Sequence, residues 1–412
     1  MSDWEEYLLE DLADEITVGF VGSMADEYVE KGITFLRSKN VDPHRINLDD
    51  IRYITPEFHQ KLKKSALTPG DVVIVRTGKP GAASIIPDYL TQSNCSDLVI
   101  VRPSSNLDRH FLVYYLNSIA VHYINSYLVG AVQQHFNIGA ARKLKITLPK
   151  IKEQKRIADV LSCLDAKIDN LRRQNQTLEE IARSIFKHWF IDFEFPNADG
   201  KPYKSSGGAI VRSDLGNIPE GWRLGKLGDV ATVNSQSIDK NYPHRIIEYV
   251  DISSVGVGTL ENTTQYKLSE APSRARRLVE HGDVIWSGVR PNRKSYLFIC
   301  KPIDNLIVST GFVVLSPKQI PSSYLYAWVT TSMFVDYLTL NASGSAYPAV
   351  KAEHFEIADI TLPSKSILEK FHLMIDPMQI KTHDNSLHIQ TLTKTRDALL
   401  LKLMSGQLRV SE

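Results

Sequence analysis

Cysteine is scarce in this chain: only Cys95, Cys163 and Cys300 occur among 412 residues. They lie far apart and none stands in a CxxC spacing, which excludes a disulfide framework and a zinc site and predicts a reducing, cytoplasmic setting. Long apolar runs are also missing; none approaches the roughly 18 residues that a membrane span needs. The first residues, Met1-Ser2-Asp3-Trp4-Glu5-Glu6, are acidic and lack the basic-then-apolar order of a signal peptide. Net charge is nearly absent, with 48 Lys plus Arg against 47 Asp plus Glu. That balance excludes a polybasic protein whose affinity for nucleic acid comes from bulk charge alone. It leaves open a nucleic-acid binder with local fields. Residues 1–30 carry ten acids and no Lys or Arg, residues 31–150 sixteen bases against eight acids, and residues 274–294 six bases against two acids.

Familiar catalytic motifs are absent as well. No GxxxxGK[ST] phosphate loop occurs, and Gly256-Val257-Gly258 lacks a third glycine in register for a dinucleotide. There is no HExxH, and no Asn/Asp-Pro-Pro-Tyr/Phe tetrapeptide that would hold a flipped adenine. Glu153-Gln154-Lys155 and Asp165-Ala166-Lys167 resemble the tail of a nuclease motif, but they fall on a heptad helix and read as helix surface. The expectation is a chain that does no chemistry by itself and binds no metal.

What is present is a repeat. Ile146-Thr147-Leu148-Pro149 recurs as Ile360-Thr361-Leu362-Pro363, a shift of 214 residues. The same shift maps Gly130 onto Gly344 and Gln176-Thr177-Leu178 onto Gln390-Thr391-Leu392. With a slightly drifting offset, Gly70-Asp71-Val72 pairs with Gly282-Asp283-Val284, and Trp4 with Trp222. Matches in constant order predict a two-fold duplication.

Each half ends in a heptad seam. The first runs Ile157, Leu161, Leu164, Ile168, Leu171, Asn175, Leu178, Ala182, Ile185, Trp189, and predicts a helix from about residue 153 to 190. The second runs Phe371, Ile375, Met378, Thr382, Asn385, Ile389, Leu392, Arg396, Leu399, Leu403. It is more polar, and Asp376-Pro377 predicts a kink or a fresh helix start. Two equivalent seams point to helices that pair with each other, with Leu161, Leu164, Ile168, Leu171, Leu178, Ile185, Met378, Ile389, Leu392 and Leu399 in the pairing or partner-docking face. Asn175 is read as setting the register. Pro196 to Gly208 and Gly216 to Trp222 read as linker. The expected division is 1–150 and 222–365 as globular modules, 151–191 and 366–412 as long helices, and 192–221 between them.

Within each module a short buried strand runs into a Gly-bearing cationic loop: Val72–Val75 into Arg76-Thr77-Gly78-Lys79, and Val284–Trp286 into Gly288-Val289-Arg290-Pro291-Asn292-Arg293-Lys294. Arginine can bond phosphate or guanine in bidentate fashion, and glycine lets a backbone approach a ligand closely. Arg37 and Lys39, and Arg274 ahead of the second strand, add cations. Gln133, Gln134 and Asn137, with Tyr347 in the matched loop, are candidate base readers. Solvated surface turns are the other reading of these loops.

Taken together, Gly32-Ile33-Thr34-Phe35-Leu36-Arg37-Ser38-Lys39-Asn40-Val41, Gly70-Asp71-Val72-Val73-Ile74, Leu148-Pro149 with Glu153-Gln154, and Phe190-Ile191-Asp192-Phe193 onward to Gly216-Asn217-Ile218-Pro219-Glu220-Gly221-Trp222 resemble the specificity subunit of type I restriction–modification enzymes. Glu369-Lys370 stands where the first half has Glu153-Gln154, a departure from the pattern. The resemblance implies an α+β chain: two mixed α/β target recognition domains separated by two long antiparallel coiled-coil helices in a pseudo-two-fold arrangement. It implies a non-catalytic subunit in which each domain reads one half of a bipartite, asymmetric double-stranded DNA site. Two modification (methyltransferase) subunits would dock on the helices and methylate adenine, joined by restriction (motor and nuclease) subunits. S-adenosylmethionine, ATP and magnesium would sit on those partners and none in this chain, within a prokaryotic cytoplasm and away from membranes. A stand-alone DNA-modifying enzyme and a coiled-coil scaffold with no DNA role are the alternatives.

Overall fold

In the computed structural model residues 4–128, 136–214, 216–345 and 347–410 are described. They fall into two compact units, residues 1–170 with 388–412, and residues 171–387.

In the first unit Val72–Val75 sits inside a four-stranded antiparallel sheet, between Ala83–Ile85 and Leu98–Pro103, with Ala13–Val18 at the edge. Strand side chains alternate faces, and here both faces are covered, which is why the sequence is a continuous apolar run. Val72, Ile74, Val99 and Val101 face a core shared with Phe111, Ile157 and Leu161. Val73, Val75, Leu98 and Ile100 face a second core with Leu36, Val41 and Cys95. A five-stranded sheet lies on that second side, with Ile33–Leu36 and Ser93–Cys95 parallel to each other. The turn before Val72 needs glycine: Gly70 has φ +94°, while Asp71 accepts the Thr68 amide at 3.0 Å.

The second unit repeats this plan. Val284–Ser287 lies between Phe312–Pro317 and Tyr296–Phe298, with Ala231–Val233 at the edge. Val284, Trp286, Val313 and Leu315 face one core, and Ile285, Phe312 and Val314 the other. Gly282 has φ +93° and Asp283 accepts the Glu280 amide at 2.8 Å, the same turn as at Gly70. The Ile-Thr-Leu repeat is a strand in both units, paired antiparallel with Glu5–Leu8 in one and Arg223–Lys226 in the other. The duplication predicted from spacing is therefore a duplication of topology.

The long helices are Ile151–Phe186 and Lys365–Met404, and each unit holds a share of both. In the first unit Arg396 donates to Asp165 at 2.7 Å, and Arg409 clamps Glu153 through two bonds of 2.5 and 2.8 Å. In the second, Asn385 donates to the Asn175 side chain at 2.8 Å, and Phe190 meets Phe371 at 5.0 Å between ring centroids. Partner numbers fall on one segment as they rise on the other, so the pairing in each unit is antiparallel. Every position of the two predicted seams is buried or half-buried. Asn175 also donates to the Thr382 carbonyl at 3.2 Å, a polar layer that only one register satisfies.

Four expectations need correction. The second helix runs through Pro377 without a fresh start. Proline deprives only the Leu373 carbonyl of its donor, and both Pro377 and Leu373 are exposed, so that carbonyl can be hydrated. The first helix ends at Phe186 and continues as a π-turn over Lys187–Ile191. The segment read as linker is ordered by aromatic packing: Phe195 stacks on Tyr203 at 4.5 Å and on Trp222 at 5.1 Å, and Ile210–Ser213 pairs with Gly216–Pro219. Glu153 and Asp165 are not free helix surface, because each holds an arginine.

Tyr114 donates to Asp165 at 2.5 Å, and the His44 ring lies 4.6 Å from that of Tyr114. Burial pushes His44 down to about 4, against the pull of Asp165. A histidine held neutral in the fold but free to protonate at about 6.5 when unfolded stabilises the fold above that pH. The contribution falls as pH drops from about 6.5 to 4, by roughly 2–3 kcal/mol. Thermal unfolding at pH 7, 5.5 and 4.5 should show this loss, and His44→Asn, tolerated at the φ of +64° found here, should flatten it. An equally steep loss in the variant would assign the acid sensitivity to other groups.

Candidate nucleic-acid interface

Parallel strands open their C-terminal ends on the same edge, and there both units gather polar loops. In the first, Ile33–Leu36 leads into Arg37, Ser38 and Lys39, while Ser93–Cys95 leads to Asp97. Asp97 ties the edge together. Arg76 meets one carboxylate oxygen at 3.1 Å, Thr77 donates to the other, and Ser38 donates to the Asp97 carbonyl at 3.4 Å. Arg37 and Lys39 converge on Asp50 together with Arg52, at 3.5 Å for Arg37 and 3.6 Å for Arg52. Three cations thus share one carboxylate, leaving a local positive excess. Arg37 and Arg52 also flank the Tyr28 ring at 6.0 and 5.8 Å. Burial lowers the Arg37 pKa, as does the nearby charge of Arg52.

Lys79 pairs with Asp42 at 3.2 Å, so this loop cation is partly neutralised within the chain. Asn137 accepts the Ala140 amide at 2.9 Å and caps the helix Ile138–Arg142, which commits its carboxamide oxygen to the fold. Gln133 and Gln134 lie outside the described residues.

The second unit builds the same edge from other side chains. Ile246–Val250 and Leu306–Ser309 are parallel and end at Asp251 and Thr310. The Thr310 amide donates to the Arg274 carbonyl at 2.8 Å, and the Gly288 amide to the Gly311 carbonyl at 2.9 Å, which brings the Arg274 and Arg290 loops together. Burial alone would raise the Asp251 pKa. Bonds from Ser253 and Tyr249, with the charge of Arg274, bring it below the ordinary value. Arg290 lies over the Tyr347 ring at 4.5 Å. Arg290 and Lys294 both adopt left-handed backbone, φ +53° and +56°, on either side of the Pro291–Arg293 turn. That geometry costs energy for residues with a side chain and throws Asn292, Arg293 and Lys294 to the surface. Among the described residues Arg293 and Lys294 form no ion pair.

The structure thus brings Arg37, Lys39, Arg76 and Thr77, which the sequence offered only as candidates in separate loops, to one edge, and Arg274, Arg290, Arg293, Lys294 and Tyr347 to the other. Asp50, Asp97, Arg52, Tyr28, Tyr249 and Asp251 were missed. Asp50 and Asp97 have φ of +49° and +54°, and an aspartate in left-handed backbone carries no reliable mark in sequence.

The first part of the chain, residues 1–180, matches the type I restriction modification DNA specificity domain. Over its whole length the chain is 25% identical to the type I restriction enzyme MjaIX specificity subunit of Methanocaldococcus jannaschii, covering 94% of it. It is 24% identical to the HindI specificity subunit of Haemophilus influenzae over 99% of this chain and 100% of that one. The fold is shared with the type I restriction–modification S subunit from M. genitalium, with a TM-score of 0.62 at 15% identity over 97% of this chain and 96% of the other. Duplicated topology, paired helices and matches along the full chain agree: over its whole length it is similar to the specificity subunits of type I restriction–modification enzymes.

Proposed function

We propose that the chain does no chemistry itself and reads double-stranded DNA, each module taking one half of a bipartite, asymmetric site. It directs adenine methylation or restriction by partner subunits. The observation that carries this reading is one sheet edge built twice with different side chains, Arg37, Lys39 and Arg76 in one unit against Arg274, Arg290 and Arg293 in the other. A duplicated scaffold with unlike reading edges suits two unlike half-sites. Two modification subunits would dock on the long helices, where Val160 and Leu401 in the first unit and Ile181, Leu373 and Leu387 in the second remain exposed. S-adenosylmethionine, ATP and magnesium would be bound by the modification and restriction subunits, in the cytoplasm of a prokaryotic cell.

Mapping methylated adenine in the host genome with and without this gene tests the reading. A two-part motif that loses methylation on deletion supports it. Methyl transfer or cleavage by the purified chain alone overturns it in favour of a self-sufficient enzyme. Assembled complex that binds DNA without a steep salt dependence overturns it in favour of a scaffold.

In this reading the helices are the ruler between half-sites, whose centres should lie about one helical turn, roughly 10 bp, apart. Inserting four helical residues after Asn170 and four before His388 preserves the antiparallel register and adds about 6 Å. The undefined spacer of the methylated motif should then grow by about 2 bp, at 3.4 Å per base pair. An unchanged spacer in an active complex would refute the ruler.

A further inference from the structure

We infer that Arg37, Lys39 and Arg52 form a three-cation anchor for one backbone phosphate of the DNA held by the first module, and that they read no base. The inference rests on the DNA-reading role proposed above. All three side chains converge on the Asp50 carboxylate. Arg37 and Lys39 meet one of its oxygens, Arg37 at 3.5 Å, and Arg52 meets the other at 3.6 Å. Asp49, next in the chain, pairs with none of the three among the described residues. Three positive charges against one negative charge can take a second oxyanion, and phosphate is the oxyanion that DNA carries along its whole length. Partial desolvation first, then the charges of Arg37 and Arg52, lower the Lys39 pKa, as expected where cations outnumber their counter-charge.

The donors suit a phosphate better than a base edge. Arg37 is largely buried and its Nη2 donates to the Asp50 carbonyl, which commits its fork to the loop. Lys39 ends in a point charge with no preferred plane. Arg52 is half exposed and meets Asp50 only beyond ordinary hydrogen-bond distance. Such a set answers to charge and position, which is what backbone contacts supply.

The cluster is built rather than incidental. The wholly buried Asn40 carboxamide accepts the Arg37 amide at 3.1 Å and donates to the Asn47 and Asp49 carbonyls at 3.1 and 3.2 Å. One side chain thus wires the Arg37–Lys39 turn to the loop that carries Asp50. Arg52 enters from the strand Arg52–Ile54, paired antiparallel with Ile33–Leu36. Asp50 stands at φ +49°, a conformation that persists when the surroundings impose it. In the second module the turn Ile252–Ser254 follows the matching parallel strand, Ile246–Val250. It puts Asp251 and Ser253 where the first module has Arg37 and Lys39, so the anchor serves one half-site only.

The test uses the complex assembled with its modification subunits, a duplex carrying the methylated motif and an unrelated duplex, titrated over a range of salt. Arg52→Ala and Lys39→Ala should each weaken binding to both duplexes several-fold and lower the slope of log K against log salt by roughly 0.9. Arg52→Lys, which keeps the charge, should retain affinity and slope. Base preference in a randomised library, read by methylation, should be unchanged in all three variants. A single neutral methylphosphonate scanned through both half-sites should weaken the wild type at one or two positions within one half-site, and weaken Arg52→Ala there much less. Assembly and Tm of the variants, measured alongside, report on folding. A relaxed preference at one base position, with the salt slope intact, would make these residues base readers and overturn the inference. So would unaltered affinity and slope in Arg52→Ala and Lys39→Ala. If the wild-type complex shows neither sequence preference nor a steep salt dependence, the DNA-reading proposal fails with it; if it shows both and only the variants are silent, that proposal stands.

Discussion

Phe371→Ala is expected to destabilise the second unit by about 3–5 kcal/mol, the range for emptying a buried phenylalanine site that cannot collapse. Phe371 is fully buried on the second long helix and meets Phe186, Trp189 and Phe190 at 6.0, 6.2 and 5.0 Å between ring centroids. Phe190 continues the contact to Tyr324 at 4.8 Å and Trp222 at 5.9 Å, so this cluster joins helix, π-turn and module. Neighbours locked edge-to-face cannot slide into the space a benzyl group leaves. Phe371→Leu refills part of the volume and should cost clearly less. Leu373→Ala, two residues along on the same helix but 76% exposed, should stay within about 0.5 kcal/mol of wild type. Denaturant unfolding of the three variants orders them. A Phe371→Ala loss below about 1 kcal/mol would mean that the aromatic cluster does not hold helix to module.

What was legible in the sequence follows from which forces act locally. The strand at Val72–Val75 was readable because burial on both faces demands an unbroken apolar run, and the turn before it because Gly70 must take a φ that other residues resist. The seams were readable because heptad spacing and pairing are the same fact seen in one and three dimensions. Pro377 misled because its local rule assumes that the neighbouring carbonyl has no other partner; an exposed helix face supplies water. The reading edge was half legible. Cations stood out, but their geometry depends on Asp50, brought to Arg37 by the antiparallel pairing of Ile33–Leu36 with Arg52–Ile54, and on Asp97, reached through parallel pairing of strands 59 residues apart, as Thr34 with Ser93. Asn137 shows the converse: a residue type suited to base reading is equally suited to an N-cap, and only the fold distinguishes the two.

Arg396 stood in the second seam as an apparent flaw, and its resolution gives the other large effect. It occupies a half-buried core position in the first unit, where its side chain meets Asp165 at 2.7 Å and also Asp397. Asp165 in turn accepts the Tyr114 hydroxyl at 2.5 Å, so one carboxylate serves both the opposite helix and the module. Burial and this acceptor raise the Tyr114 pKa, which keeps the hydroxyl a donor at any physiological pH. Asp165→Ala strips two donors of their acceptor at once and should cost roughly 2–4 kcal/mol, since a partly buried arginine loses its main counter-charge. Arg396→Leu should cost less, because Asp165 keeps Tyr114. Replacing the pair together, Asp165→Leu with Arg396→Leu, removes both desolvation penalties and fills the seam with apolar volume. The double variant should therefore recover much of the loss in Asp165→Ala, as buried ion pairs elsewhere tolerate such replacement. A double-mutant cycle closed with Asp165→Leu, Arg396→Leu and the double variant, read by denaturant unfolding, measures the coupling, expected between about 0.5 and 3 kcal/mol. Strict additivity would mean that Arg396 and Asp165 do not act on each other, and that the helices are held in the first unit by Leu399, Leu403 and Met404 against Ile157 and Leu161 and by the Arg409–Glu153 clamp.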